Sequence, residues 1–365
     1  MKRTWITPAS LSTLLICILL MAVLAKGDWN PLELAKIGTQ YSIGDPQGTE
    51  GYDGQFNYYL AKNLSPQALE GQLDVPAYRY QRILLPVLAM MLSLGIEGWL
   101  PWVFPLISIV IHFFATRTLT QMLANWKVSR WYALAYSLWV GLTLAIRLDL
   151  AEALALGLII FAIGAQLEGH QKRSWILYSL AVFAKETMLI FVAGQALAYL
   201  VKREWKPFLS LVAIAVLPFG LFQLWLTRNF GSLGLGLGGA GATPVEWFPF
   251  NGIWRISEYS WGLMFAFAIF YLPVAIFPSM AGVFRSIQSM RKGERNLISI
   301  NLLLVSMLTP FLPFALYREP TGAFRMLSML LLTWLLFSAR YGLKRAYQYA
   351  ILGISLNAIL IAEFF

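Results

Sequence analysis

GYDGQFNYYL (residues 51–60) places one carboxylate, Asp53, between Tyr52 and Gly54 and follows it with Phe56, Tyr58 and Tyr59. A positioned carboxylate is the equipment of a general base that takes a proton from a hydroxyl. PAYRYQRILLP (76–86) supplies the opposite charge. Arg79 and Arg82 are three apart and so share one side of a helix, and paired guanidiniums suit a phosphate gripped bidentately. Further carboxylates and cations follow in RLDLAE (147–152), in AKET (184–187) and in YREPTGAFR (317–325). A base beside a cationic clamp points to transfer of a group from a phosphate-linked donor to a hydroxyl, with the cations stabilising the departing phosphate.

The elements that must position these residues follow from composition. The chain has 365 residues, 58% hydrophobic and 13% charged, whereas a soluble domain is nearer half apolar and a quarter charged. Repeated apolar runs long enough to cross a bilayer account for the difference, so the expected fold is all-α, a polytopic bundle of transmembrane helices. The short alternating segments of a β-barrel are missing. The net charge of +10 arises from Lys and Arg in short loops between apolar runs, the positive-inside pattern, and this argues against nucleic-acid binding. Cys17 is the one cysteine, which excludes a disulfide within the chain. His112 and His170 lie far apart, which argues against a histidine metal site.

Run 11–25 reads as an uncleaved first helix with a cytoplasmic N-terminus, although Ala22-Val23-Leu24-Ala25 also loosely fits a cleavage site. The polar stretch 27–82 then forms a long extracytoplasmic loop. Counting 83–95 as a crossing would put the basic EGHQKRS outside, so the charge rule makes it a helix lying at the outer surface. Runs 99–123, 131–146 and 151–167 are read as crossings. Only about 27 residues separate EGHQKRS from the equally basic VKREWK, too few for two full crossings at about 1.5 Å per residue. Stretch 174–201 is therefore read as a hairpin of two half-length helices with Lys185 and Glu186 at its tip; one long tilted helix is the alternative. Crossings at 207–226, 259–280, 297–316, 324–338 and 346–365 complete about eleven membrane segments. The organisation expected is a membrane module over 1–226, with outer loop and interfacial helices at 27–98, a glycine-rich outer loop at 227–258, and C-terminal helices at 259–365.

This topology gathers the ionisable residues at one face, where each is a functional candidate because charge at membrane depth is costly. Asp53 is the expected base. Arg79, Arg82, Lys185, Arg318 and Arg325 are expected to meet the donor phosphate. Tyr52, Gln55, Asn57, Tyr59, Asp74, Arg147, Asp149, Glu152 and Glu186 are expected to bind substrate. In a helix over 52–61, Tyr52, Phe56 and Tyr59 share a face that would seat the segment on the membrane surface. Asp53 and Asn57 share the neighbouring face, and Gly51 and Gly54 would let a substrate approach the backbone. GSLGLGLGGAGATP lacks the ending of a phosphate loop and reads as a flexible outer loop able to order over a substrate.

The segments GYDGQFNYYLA, DVPAYRYQRILLP, RLDLAEALALGL and LAVFAKETMLI, in this order over roughly the N-terminal half, resemble the GT-C superfamily of integral-membrane glycosyltransferases. The resemblance is to the bacterial glycosyltransferase family 87-like and cell-surface-glycopolymer-formation membrane proteins. It implies a polyprenyl-phosphate-linked sugar donor, a glycan or glycolipid acceptor, surrounding membrane lipids, and an inverting single displacement at the outer face of a bacterial plasma membrane. It implies an acidic catalytic residue in the first outer loop, matched by Asp53, and later acid and lysine positions similar to Asp149, Glu152 and Lys185. Some relatives carry two adjacent acids in that loop or hold a divalent metal there; GYDGQ has a single acid, so a divalent metal is left open and no other cofactor is implied. The rival expectations are a transporter or flippase of lipid-linked glycans, which needs charges lining a path through both leaflets, and a non-catalytic subunit of a glycopolymer assembly complex.

Overall fold

The computed structural model describes residues 6–362, and these contain helices, turns and loops but no strand. Five helices among them are long and apolar enough to cross a membrane: Pro8–Lys26, Glu97–Asn125, Trp205–Phe230, Trp261–Arg291 and Pro320–Arg340. Three more, Glu152–Leu167, Glu186–Val201 and Leu297–Phe311, are apolar and shorter. The chain forms two compact units that interleave along the sequence. The first comprises residues 1–119, 143–188 and 213–240, and the second 120–142, 189–212 and 241–365.

The first unit is built around an antiparallel helical hairpin. Its arms are Glu152–Leu167 and Gln171–Ala184. Gly169 (φ +84°) makes the turn, and the Ser174 hydroxyl donates to the Ala162 carbonyl across it (2.9 Å). Glu152–Leu167 is rich in Ala and Gly and buried almost all round, which marks it as the central helix. Its Gly157 lies so close to Ile111 that a Cβ would collide with that side chain. At the open end of the hairpin, Glu152 begins one helix and Lys185 caps the other. An anion at a helix N-terminus and a cation at a C-terminus each complement the helix dipole.

The helix Gly54–Lys62 is buried over nearly its whole length. Its aromatic face therefore does not seat it on the membrane surface: Phe56 and Tyr59 are inside protein. The two glycines of GYDG serve backbone packing and not a substrate. Gly51 sits at φ +73°, a conformation costly for any residue with a Cβ. A Cβ at Gly54 would strike the Leu148 carbonyl and the backbone of Ala35. The helix Leu84–Leu92 has nine residues, roughly 13 Å, far short of a bilayer core of about 30 Å. It ends in exposed Met91, Leu92 and Leu94.

Stretch 174–201, expected as two half-length helices, is interrupted at AKET. Gln171–Ala184 ends, Lys185 is extended (φ −158°), and a short 3₁₀ turn Glu186–Met188 precedes Leu189–Val201.

In the second unit, Pro320–Arg340 is mostly buried and packs with Leu297–Leu308 and Phe277–Arg291. Two stretches expected to be continuous crossings are broken. Residues 131–146 divide into Leu134–Ser137 and Val140–Arg147. The break is stabilised from outside the helix: the Trp139 indole donates to the Phe324 carbonyl (2.9 Å), and the Asn357 amide donates to the Leu138 carbonyl (2.6 Å). Residues 346–362 divide likewise at a 3₁₀ turn, Leu352–Asn357; 363–365 lie outside the described residues. The long helices Trp205–Phe230 and Trp261–Arg291 each contain a π-helical turn, Val212–Val216 and Leu272–Ile276. Pro218 and Pro278 lie just beyond them. A proline leaves the carbonyl four residues back without its helical donor, and in both helices that carbonyl lies within the widened turn.

Replacing Gly54 by Ala forces its neighbours apart and is expected to destabilise the protein by about 1–3 kcal/mol. Gly220, in a helix with nothing close to it, is expected to accept Ala with no loss. Thermal unfolding of the detergent-solubilised variants distinguishes the two; equal midpoints would contradict the close packing at Gly54.

Candidate functional site

The first unit brings most of the singled-out residues into one charged cluster. The Arg79 guanidinium is its hub. It donates twice to Asp74 (Nε–Oδ1 2.7 Å, Nη2–Oδ2 2.6 Å) and once to Asp53 (Nη1–Oδ1 2.9 Å). Its plane lies over the Phe56 ring at 4.1 Å. The aromatic side chain one helical turn beyond Asp53 is thus a cushion for the cation, a use that a weakly hydrated guanidinium favours.

Asp74 and Arg79 are nearly fully buried, while the Asp53 side chain keeps 31% of its surface exposed. Burial alone would raise the Asp74 carboxyl, but the bonds and charge of Arg79, with N–H donors from Ala240 and Val75, hold it below the ordinary carboxylate range. Asp53 stands at the N-cap of Gly54–Lys62, yet its side chain makes no cap bond; it reaches Arg79 instead.

Arg82 forms a second bidentate pair, with Glu186 (Nε–Oε2 2.8 Å, Nη2–Oε1 2.6 Å), and donates to the Tyr78 hydroxyl at 2.5 Å. Lys185 pairs with Glu152 at 2.6 Å, both side chains being about 5% exposed or less. The expectation of one twin-arginine clamp is therefore corrected. Each guanidinium is held by its own carboxylate, and the Tyr78 ring packs against both, at 5.0 Å from Arg79 and 4.2 Å from Arg82. Three cations, Arg79, Arg82 and Lys185, face four carboxylates, Asp53, Asp74, Glu152 and Glu186. At this near balance an anionic ligand must displace a carboxylate from a cation in order to bind it.

Several expected substrate contacts are braces. The Gln55 amide accepts from the Gly38 N–H (3.1 Å) and donates to the Glu50 carbonyl (2.6 Å). The Asn57 amide donates to the Asp149 carbonyl at 2.9 Å. Asp149 sits at φ +52°, closing a Schellman turn in which the Leu150 N–H donates to the Ala145 carbonyl (2.9 Å) and its own N–H to that of Ile146 (3.5 Å). Asp and Asn tolerate this conformation better than most residues. The Asp149 carboxyl is buried with no hydrogen-bond partner among the described residues, and burial pushes it well above the ordinary range. Arg147 donates a long hydrogen bond to the Glu33 carbonyl, 3.4 Å. Tyr52 is half-buried, its N–H donating to the Lys36 carbonyl.

Tyr59 does face a cavity. It lies in the first unit, is about 500 Å³, and its lining mixes Ser42, Tyr58, Tyr59, Lys62, Asn63 and Gln72 with the apolar Leu32, Ile37, Ala68 and Leu69. Hydroxyls, amides and aromatic faces together suit a polyhydroxylated ligand. Arg318 and Arg325 belong to the second unit. There Arg318 pairs with Glu319 at 3.0 Å, both exposed, and lies 5.5 Å from the Phe314 ring.

One contributor, Tyr78, was missed in the sequence, and the anchor of the glycine-rich loop was not foreseen. Tyr78 separates the two arginines, and its place inside PAYRYQR was the available signal. The glycine-rich loop is latched to the cluster: the Ala240 N–H donates to Asp74 Oδ2 at 2.8 Å, and a Cβ at Gly239 would crowd the Arg79 guanidinium. The Gly234 and Leu235 N–H groups donate to the Gln223 amide oxygen (2.8 and 3.1 Å). The acids of the first loop do not fit a divalent metal. Asp53 and Asp74 converge on a guanidinium, and among the described residues no group of three or more His, Cys, Asp or Glu could hold an ion.

No family model, curated protein or solved structure matches the chain.

Arg79→Gln strands Asp74 as a buried unpaired charge and is expected to cost about 3–5 kcal/mol of stability. Arg79→Gln combined with Asp74→Asn should recover much of it; losses that simply add in the double variant would contradict the pairing.

Asp149 supplies a test by pH. Its raised folded value favours the folded state in acid, and that contribution is lost as pH rises above about 4 through the folded value. Asp149→Asn, which keeps the turn conformation, should therefore gain on the parent with rising pH in thermal unfolding. A difference constant across pH 4–8 would show that the carboxyl titrates normally.

Proposed function

We propose that this chain is an integral-membrane transferase of the GT-C type, moving a sugar from a polyprenyl-phosphate-linked donor to a hydroxyl of a glycan or glycolipid at the extracytoplasmic face of a plasma membrane. The observation that supports the reading is the order of burial along Asp74, Arg79 and Asp53: a deep carboxylate orients a guanidinium, and the guanidinium orients the one partly exposed acid.

In this mechanism an Asp53 oxygen accepts the proton of the acceptor hydroxyl. The acceptor oxygen attacks the anomeric carbon from the face opposite the phosphate. The carbon–oxygen bond to the phosphate breaks, configuration inverts, and the polyprenyl phosphate departs with its electron pair. Arg79 positions the base. The donor phosphate meets Arg82, whose pair with Glu186 is more exposed than the Lys185–Glu152 pair, and Glu186 yields its place. Lys185 and Glu152 hold the end of the hairpin beneath. The cavity beside Tyr58 and Tyr59 takes the acceptor's sugar rings.

The sidedness rests on the charge rule. The Asp53, Asp74, Arg79 and Arg82 segment lies between the first two full-length spans, which is extracytoplasmic if the N-terminus is cytoplasmic. The architecture proposed is a bundle of about eleven membrane segments once the broken stretches are counted.

Purified protein with a labelled polyprenyl-phosphate sugar and a glycan acceptor tests the reading. Asp53→Asn is expected to lower turnover on the order of 10²–10⁴-fold while leaving the unfolding midpoint near that of the parent. Product formation in detergent, without a membrane gradient, separates a transferase from a pure flippase. Undiminished transfer by Asp53→Asn would remove Asp53 from the mechanism.

A further inference from the structure

A groove in the second unit is not lined by any residue of the charged cluster. Its volume is about 1080 Å³, at the top of the range of about 300–1,000 Å³ usual for small-ligand sites. Its walls come from the helices Phe277–Arg291, Pro320–Arg340 and Lys344–Ile351 and are overwhelmingly apolar, with Phe277, Leu330 and Trp334 among them. Phe277 and Phe284 remain more than half exposed, apolar surface suited to contact with acyl chains.

The rim has a definite sign. Arg285, Lys344 and Arg345 line the groove, and no Asp or Glu does. All three are exposed, and none forms an ion pair among the described residues. The Arg285 guanidinium donates to the Gln288 amide oxygen, at 3.1 Å. The contrast with the first unit is informative. There every cation of the cluster has a carboxylate; at this groove three cations surround an apolar slot with no counter-charge. An apolar channel with a cationic mouth is complementary to a molecule with an apolar tail and an anionic head.

We infer that this groove is a binding site for an anionic glycerophospholipid of the surrounding bilayer. Its acyl chain lies along Phe277, Leu330 and Trp334, and its phosphate meets Arg285, Lys344 and Arg345. The same three residues, with Arg291, Lys292, Arg295 and Arg340 on the adjoining helix ends, make this end of the second unit strongly basic, which assigns the lipid to the cytoplasmic leaflet under the positive-inside rule. The inference does not depend on the transferase reading: the residues, the charge pattern and the proposed leaflet differ from those of the site around Asp53.

The test is native mass spectrometry of the full chain released from nanodiscs of phosphatidylcholine containing a minority of phosphatidylglycerol, counting the lipids that stay bound. The parent should retain one phosphatidylglycerol in clear preference to phosphatidylcholine. Arg285→Gln/Lys344→Gln/Arg345→Gln should lower that preference by about tenfold or more. Ala281→Trp, which fills the groove and leaves the cations in place, should also release the lipid; unfolding midpoints near the parent's confirm that both variants are folded. Equal retention of neutral and anionic lipid, retention of a polyprenyl phosphate in place of a two-chain lipid, a second copy of the chain bound in place of lipid, or unchanged retention in both variants would each overturn the assignment.

Discussion

The bidentate bond between Arg79 and Asp74 is the contact on which the candidate site depends. A guanidinium so deeply buried is stable only if its charge is answered and its donors are used. Asp74 answers the charge, Phe56 covers the plane, and the remaining edge is left pointing at Asp53. The direction of Asp53 is thus set by groups that a ligand does not need to touch. The glycine-rich loop shares the same anchor through the Ala240 N–H, so movement of that loop and the state of Asp74 are linked through one oxygen.

The second charged layer follows from helix geometry. A hairpin whose arms are the central helix and its neighbour has one open end, where an N-terminus and a C-terminus lie side by side. Glu152 and Lys185 occupy those positions and neutralise each other. Because the helix stops at Lys185, Glu186 enters a 3₁₀ turn and reaches Arg82. Two adjacent residues of AKET therefore serve two different pairs. This division of charge explains why the cluster is compact without being a reservoir of free cations.

Much of this was legible in the sequence, and the failures have physical causes. Length and apolar content foretold an all-helical chain with helices long and apolar enough to cross a membrane. Asp53, Arg79, Arg82, Lys185 and Glu186 stood out because charge is rare in such a chain. The break at AKET was readable from the spacing of two basic loops. The pairing was not readable, since Arg79 and Asp53 are 26 residues apart and Arg82 and Glu186 are 104, and no local period encodes such separations. The aromatic stripe of Phe56 and Tyr59 fits a lipid interface and a guanidinium cushion equally well by pattern, and burial decided for protein. Gly51 and Gly54 signal close approach, but the sequence does not say that the approaching group is the chain's own backbone. The interruption at Leu138 could not be seen because its hydrogen-bond partners, Phe324 and Asn357, lie far along the chain.

The central claim is that Asp53 is the carboxylate base at the reacting centre. A structure of the protein bound to a non-transferable polyprenyl phosphonate sugar together with an acceptor tests it most directly. The account predicts the acceptor hydroxyl within hydrogen-bond distance of Asp53, the phosphonate on Arg82, and Arg79 still paired with Asp74. A sugar bound at a distance from Asp53, with the Asp53–Arg79 and Arg82–Glu186 pairs both unchanged, would contradict it.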